Sequence, residues 1–243
     1  MNRVRSRVAL VMPARDEEQA LPLVLADLPR ELLDVIVVCD NGSSDGTARV
    51  ARESGAVVVR EPTPGYGRAC LAGLAFLREA WEPPLLSHDV VCFLDSDYSD
   101  HPEELPRVIG PVLAGEADLV IGSRVLGGAD MQALLPQAWL GNRLACLLMR
   151  LLFGARYTDL GPFRAIRADA LARLEMSDQD FGWTIEMQLK ASTRGLRVVE
   201  VPVQYRARVG RSKITGTLLG TLRAGWKILG WILVWRLRPF FRR

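Results

Sequence analysis

Val90-Val91-Cys92-Phe93-Leu94-Asp95-Ser96-Asp97 sets five apolar residues directly before two carboxylates that flank a serine. A continuous apolar run this short reads as a strand buried on both faces. Alternate residues leaving a strand point to the same side, so Asp95 and Asp97 can face one ion. Hard carboxylate oxygens suit Mg²⁺ or Mn²⁺, and either ion bridges phosphate oxygens. A solvated loop, or a helix cap before Pro102-Glu103-Glu104, carries the same tripeptide. The place of the pair at the end of a buried strand is what favours the metal reading.

The same pattern recurs on either side. Val8 to Met12 and Val35 to Cys39 are short apolar runs, and Val57 to Val59 and Leu119 to Ile121 are shorter ones. Between them, Leu21, Val24, Leu25 and Leu28 recur at helical spacing, a helix starts near Thr47, and Arg68 to Ala80 is rich in Ala and Leu. Strands alternating with helices predict a βαβ series and a mostly parallel sheet. In such sheets ligands bind beyond the carboxyl ends of the strands. Those ends carry Pro13-Ala14-Arg15-Asp16-Glu17, Asp40-Asn41 and Asp95-Ser96-Asp97, so acidic groups converge there. Asp40-Asn41-Gly42-Ser43-Ser44-Asp45-Gly46 reads as a tight turn before a capped helix, with Asp40 free to accept a nucleobase proton. Pro64-Gly65-Tyr66-Gly67-Arg68-Ala69 looks superficially like a dinucleotide fingerprint. It follows a later strand and has Cys70 at the third glycine position. NAD binding is rejected, and a helix N-terminus near a phosphate is retained. Further on, Leu140 to Phe153 is apolar and helical, Asp159 to Arg167 a loop and strand, Phe181 to Thr193 a helix, and Val198 to Tyr205 a strand.

Composition narrows the class. A chain of 243 residues, 49% hydrophobic and 24% charged, is long enough for one large α/β domain and too apolar for a disordered one. Charge is uneven: residues 201–243 hold ten Lys/Arg and no Asp or Glu, although the whole chain is only +3. A basic end calls for a polyanionic partner, and its interleaved aliphatics and Trp argue against nucleic acid. Cys39, Cys70, Cys92 and Cys146 lie too far apart for a zinc or disulfide framework and read as buried thiols in a reducing compartment. The opening apolar run is too short for a secretion signal.

Six stretches in order make the chain resemble glycosyltransferase family 2, most of all the polyprenyl- and dolichyl-phosphate sugar synthases. They are Pro13-Ala14-Arg15-Asp16-Glu17-Glu18, Val37 to Thr47, Asp95-Ser96-Asp97, Ile121-Gly122-Ser123-Arg124, Asp159 to Arg164, and Gly210-Arg211-Ser212-Lys213-Ile214. The resemblance implies a GT-A fold over residues 1–215 and inverting, metal-dependent transfer of a sugar from a GDP-mannose or UDP-glucose type donor to a polyprenyl phosphate. It implies that Asp16, Glu18 and Asp40 hold the nucleoside, while Asp95 and Asp97 hold Mg²⁺ or Mn²⁺ on the diphosphate. Pro13, Ala14, Gly67, Ser96, Arg124 and Asp159 complete the implied donor site, and Arg211 and Lys213 are implied catalytic cations beside Asp97. Members acting on hydroxyls usually carry a Glu-Asp pair after the Phe-Arg segment. Here Gly182-Trp183-Thr184-Ile185-Glu186-Met187 has Glu186 and no following Asp. A hydroxyl needs a base, whereas a phosphate oxygen is already anionic, so the lipid acceptor is favoured. A hydroxyl acceptor with Glu186 as base is the alternative. A pyrophosphorylase lacks its glycine loop here, and a non-enzymatic scaffold needs no clustered acids.

The last 28 residues, 216–243, read as a basic amphipathic tail. Leu218, Leu219, Leu222, Trp226, Leu229, Ile232 and Leu233 share a broad face opposite Gly216, Gly220, Arg223 and Lys227. The run Ile228 to Trp235 is too short to span a bilayer, so the expected placement is on an anionic membrane surface, cytoplasmic and peripheral on the inner face. Docking of the tail on the protein is the other reading, and a homodimer is left open.

Overall fold

The computed structural model describes residues 5–128, 136–210, 230–232 and 234–235. Seven strands form one sheet: β1 (Val8–Ala14), β2 (Val35–Asp40), β3 (Val57–Arg60), β4 (Val90–Phe93), β5 (Leu119–Ser123), β6 (Arg164–Arg167) and β7 (Val198–Pro202). Their spatial order is β3-β2-β1-β4-β6-β5-β7. β1 pairs in parallel with β2 and β4, β2 with β3, and β5 with β7. β6 runs antiparallel between β4 and β5, so the sheet is mixed at that point.

Apolar runs in place of alternation are explained by helices on both faces. Val8, Leu10, Met12 and Ala14 of β1, with Val90 and Cys92 of β4, pack toward α1 (Leu21–Asp27) and α4 (Leu105–Leu113). Ala9 and Val11, with Val91 and Phe93, pack toward α3 (Tyr66–Glu79), α6 (Ala168–Leu174) and α7 (Trp183–Thr193). β1 and β4 therefore bury both of their period-two sets, whereas the edge strands β3 and β7 are partly exposed. The remaining helices are α2 (Thr47–Glu53) and α5 (Pro136–Phe153).

β1 runs two residues past the Met12 end that the apolar pattern predicts. Pro13 and Ala14 stay in register with Cys39 and Asp40. A proline is tolerated in a strand where its missing N–H is not needed, and its carbonyl accepts the Ser96 hydroxyl at 2.8 Å. That bond ties the end of β1 to the loop after β4. The four cysteines are free and buried, as expected. Of the tail, the described residues 230–232 and 234–235 lie against the domain: Trp231, Ile232 and Trp235 join Cys146, Met149, Ile185 and Leu189 in a third apolar cluster. The rest of 216–243, with Arg211 and Lys213, lies outside the described residues. Among the described residues no helix is long and apolar enough to cross a membrane.

Candidate active site

The carboxyl ends of β1, β2 and β4 surround a cleft of about 210 Å³. Pro13, Ala14, Arg15 and Glu17 come from the β1 end, Asn41 from β2, and Asp95, Ser96 and Asp97 from β4. Pro64, Gly65, Tyr66 and Ala69 close it at the start of α3, Asp180 and Phe181 from the loop before α7, and Arg208 from the segment after β7. That last segment lies across the Asp95-Ser96-Asp97 loop. Asp100 bridges to Tyr205 in antiparallel fashion, Arg206 N donates to Ser99 O at 2.9 Å, and Val209 N donates to Asp97 O at 3.0 Å.

Two like charges are held close at the centre. Asp95 accepts the Tyr66 hydroxyl at 2.9 Å. Asp97 accepts the Ser99 N–H at 2.9 Å and the Ser99 hydroxyl through one oxygen, and its other oxygen lies 3.2 Å from the Arg208 guanidinium. Arg208 also reaches Glu17, at 3.0 Å. Burial, and next the charge of Asp97, push the Asp95 carboxyl up to about 7 against the opposing pull of Tyr66 and Arg208. Below them Asp100 is buried, with neither carboxylate oxygen hydrogen-bonded among the described residues, and burial holds its carboxyl well above the usual range. Crowded carboxylates titrate upward because ionising each next to the others, away from water, is unfavourable. The centre is thus short of positive charge. Two carboxylates at one cleft wall fit a hard divalent cation whose other ligands are phosphate oxygens and water. Among the described residues no group of three or more acidic, His or Cys side chains converges to hold an ion by itself.

The expected site residues separate into two groups. Pro13, Ala14, Asp95, Ser96 and Asp97 line the cleft. Asp16, Glu18, Asp40, Gly67, Arg124, Asp159 and Glu186 do not; Asp16 and Glu18 line a second cavity that shares Glu17 with the first, and all seven have partners within the fold. Asp16 Oδ1 accepts Ser44 N at 2.7 Å, and Glu18 accepts Gly46 N at 2.8 Å, stitching the β1 loop to the β2 loop. Asp40 accepts Ser43 N at 3.0 Å within its own turn. A Cβ on Gly67 would overlap the Asp178 carbonyl, so the glycine is required by close packing. The N–H groups of Gly67 and Arg68 donate to Asp180 O and Gln179 O, which leaves no phosphate cradle at those two positions. Arg124 and Asp159 form a bidentate pair with contacts of 2.8 and 2.7 Å, and Asp159 also accepts Arg124 N. Burial alone would raise the Asp159 carboxyl; the Arg124 charge and hydrogen bonds outweigh it and hold the group below the usual range.

Glu186 has the placement least suited to a base. It is fully buried, pairs with Lys190 at 2.7 Å, and accepts Ser177 N, Ser177 Oγ and Asp178 N. It organises the loop before α7 and does not face the cleft. Conversely, Glu17, Asn41, Tyr66, Asp180 and Arg208 line the cleft without having been singled out from sequence. Glu17 lies inside the motif that was read, one residue from each of its expected neighbours. Arg208 is brought in only by the chain crossing the sheet end. No local pattern marks it among the basic residues that follow β7.

The family model described as Glycosyl transferase family 2 matches residues 9–174. An uncharacterized glycosyltransferase of Mycobacterium tuberculosis is 36% identical over 232 residues, covering 91% of this chain and 97% of that protein. The undecaprenyl-phosphate mannosyltransferase of Micrococcus luteus is 33% identical over 228 residues, covering 88% and 90%. Among solved structures, glucosyl-3-phosphoglycerate synthase from Mycobacterium tuberculosis, in complex with Mn²⁺, uridine diphosphate and phosphoglyceric acid, superposes with a TM-score of 0.74 at 25% identity, covering 95% of this chain and 78% of that one. With its mixed α/β sheet of GT-A type and its strand-end cleft, the chain belongs to glycosyltransferase family 2, the nucleotide-sugar-dependent transferases.

Proposed function

We propose that the chain moves a sugar from a nucleoside-diphosphate donor to a polyprenyl phosphate, with inversion at the anomeric carbon. The observation that carries this is the Asp95–Asp97 pair at the β4 end with Arg208 against it, in a cleft that Glu186 does not reach. The likeness to the undecaprenyl-phosphate mannosyltransferase supports the acceptor.

Asp95 and Asp97 would hold Mg²⁺ or Mn²⁺, which when bound neutralises charge on the diphosphate. The chain's own residues do the rest. Arg208, and Arg15 on the same cleft, supply positive charge for the leaving diphosphate, which gains a full negative charge as the sugar–oxygen bond breaks. The attacking oxygen belongs to a phosphate that is already ionised, so no side chain has to remove a proton. The new bond forms between that oxygen and the anomeric carbon while the bond to the nucleoside diphosphate breaks on the opposite face. The segment over Asp97, anchored through Arg206 N and Val209 N, positions Arg208. A polyprenyl phosphate is held in a membrane, so in this reading the donor-loaded cleft meets its acceptor at a membrane surface.

A second reading is favoured by Asp180. This carboxylate lines the cleft from the loop before α7, and the solved relative carries phosphoglyceric acid, a hydroxyl-bearing acceptor. In that reading Asp180 takes the base role that Glu186 cannot reach. Transfer of radiolabelled sugar from UDP- and GDP-sugars to undecaprenyl or dolichyl phosphate tests the choice. The lipid acceptor predicts a labelled lipid product that persists in Asp180→Asn. Product only with a hydroxyl acceptor, lost in Asp180→Asn, establishes the second reading, and no product with any donor removes both.

A further inference from the structure

α5 has two apolar faces, and the domain uses one. Asn142, Ala145, Cys146 and Met149 are buried, with Asn142 Oδ1 accepting Leu160 N at 2.9 Å. On the opposite side Leu140, Leu144, Leu147 and Leu151 are 64%, 42%, 51% and 70% exposed. Their spacing of four, three and four residues lines them up along one stripe. Val234, in the C-terminal segment packed beside this helix, is 56% exposed. A helix apolar on all sides normally has both faces covered.

We propose that this outward face of α5 is a docking surface for an anionic lipid bilayer. The charges beside the stripe select that occupant. Arg143 and Arg150 are exposed at its edge, seven residues apart, and α5 contains no Asp or Glu. Among the described residues neither arginine pairs with an acid, and Arg143 instead stacks on Trp139 at 4.5 Å. Leucine flanked by arginine and tryptophan matches the depth profile of a bilayer interface, with chains below and anionic headgroups above. A second copy of the chain would bring the same unbalanced arginines against each other. α5 and the C-terminal residues Trp231, Ile232 and Trp235 pack with Ile185 and Leu189 of α7, and Trp231 Nε1 donates to Asp178 at 2.7 Å, two residues before the cleft-lining Asp180. Docking here brings the cleft wall to the membrane that would hold the polyprenyl phosphate, and to that extent the inference rests on the proposed acceptor.

Flotation of the full chain with phosphatidylcholine vesicles, with and without phosphatidylglycerol and with no polyprenyl phosphate, tests it. The wild type is expected to bind the anionic vesicles, and L147E/L151E to bind them at least about tenfold more weakly. R143Q/R150Q is expected to lose the preference for phosphatidylglycerol. Unchanged binding by L147E/L151E overturns the proposal and leaves the basic tail as the contact. A wild type that ignores vesicles but forms dimers in sedimentation overturns it in favour of a second copy. Both variants change exposed side chains, and melting curves with UDP or GDP, without lipid, report the cleft alone. Loss of vesicle binding with nucleotide binding intact therefore separates this inference from the transfer reaction.

Discussion

Glu186 and Asp97 are both buried carboxylates near the end of the sheet, and they differ in what surrounds them. Glu186 has Lys190 at 2.7 Å and three hydrogen bonds from Ser177 and Asp178. Its charge is answered within the chain. Asp97 shares its neighbourhood with Asp95, Asp100 and Glu17, and Arg208 is divided between Asp97 and Glu17. Asp97 itself is held by Arg208 and by the Ser99 N–H and hydroxyl, but Asp95 and Asp100 beside it have no ion pair among the described residues. A fully partnered acid organises structure, whereas a cluster with too little positive charge is prepared for an incoming cation or its complex with phosphate.

The largest effect that sharpens this contrast is at Asp97. Asp97→Asn is expected to lower sugar transfer by about a thousandfold or more while the melting temperature moves little, because the lost charge belongs to the donor site. Near-normal transfer by that variant breaks the comparison. Glu186→Ala should do the reverse. It leaves the Lys190 ammonium buried without its partner, and urea unfolding should show a loss of about 3–5 kcal/mol. Should Glu186→Gln stay stable and yet lose all transfer, Glu186 would be a base after all.

Arg208 lies between the two cases. Arg208→Gln removes the cation that faces Asp97 and Glu17, and initial rates at saturating donor should fall about 10–100-fold. A change confined to stability would instead make Arg208 a partner of the Glu186 kind. The smallest effect concerns pH. The carboxyl of Asp159 lies below its ordinary value in the folded chain. Its contribution is complete above the unfolded value of about 3.9 and is lost as pH falls through the lower folded one. Stability plotted against pH should therefore drop less steeply below about pH 4 in Asp159→Asn than in the wild type. Equal acid slopes would show that Arg124 gains nothing from this partner.

The residues that the sequence made legible are those whose role follows from local pattern. β1, β2 and β4 are apolar runs with acids at their ends, and Asp95, Ser96 and Asp97 emerge in the cleft because strand geometry puts them there. The antiparallel course of β6 was not readable, since Arg164-Ala165-Ile166-Arg167 has the same composition in either direction. Gly67 is legible as a glycine that matters, but the crowding that requires it comes from Asp178, more than a hundred residues away in sequence, and no local pattern shows that. Asp16, Glu18 and Asp40 sit in motif positions, and one oxygen of each accepts a backbone N–H of the β2 turn.

By itself the sequence determined a βαβ architecture, a carboxylate pair at the end of a buried strand, and an acidic body with a basic end. All three depend on residue spacing and on charge counted along the chain. Only the tertiary structure decided which acids are answered and which are not, that Arg208 reaches across to Asp97, and that α5 keeps a leucine stripe outside the core. Those outcomes depend on distances between segments far apart in sequence, and the strength of a charge or an apolar face is fixed by what the fold places next to it.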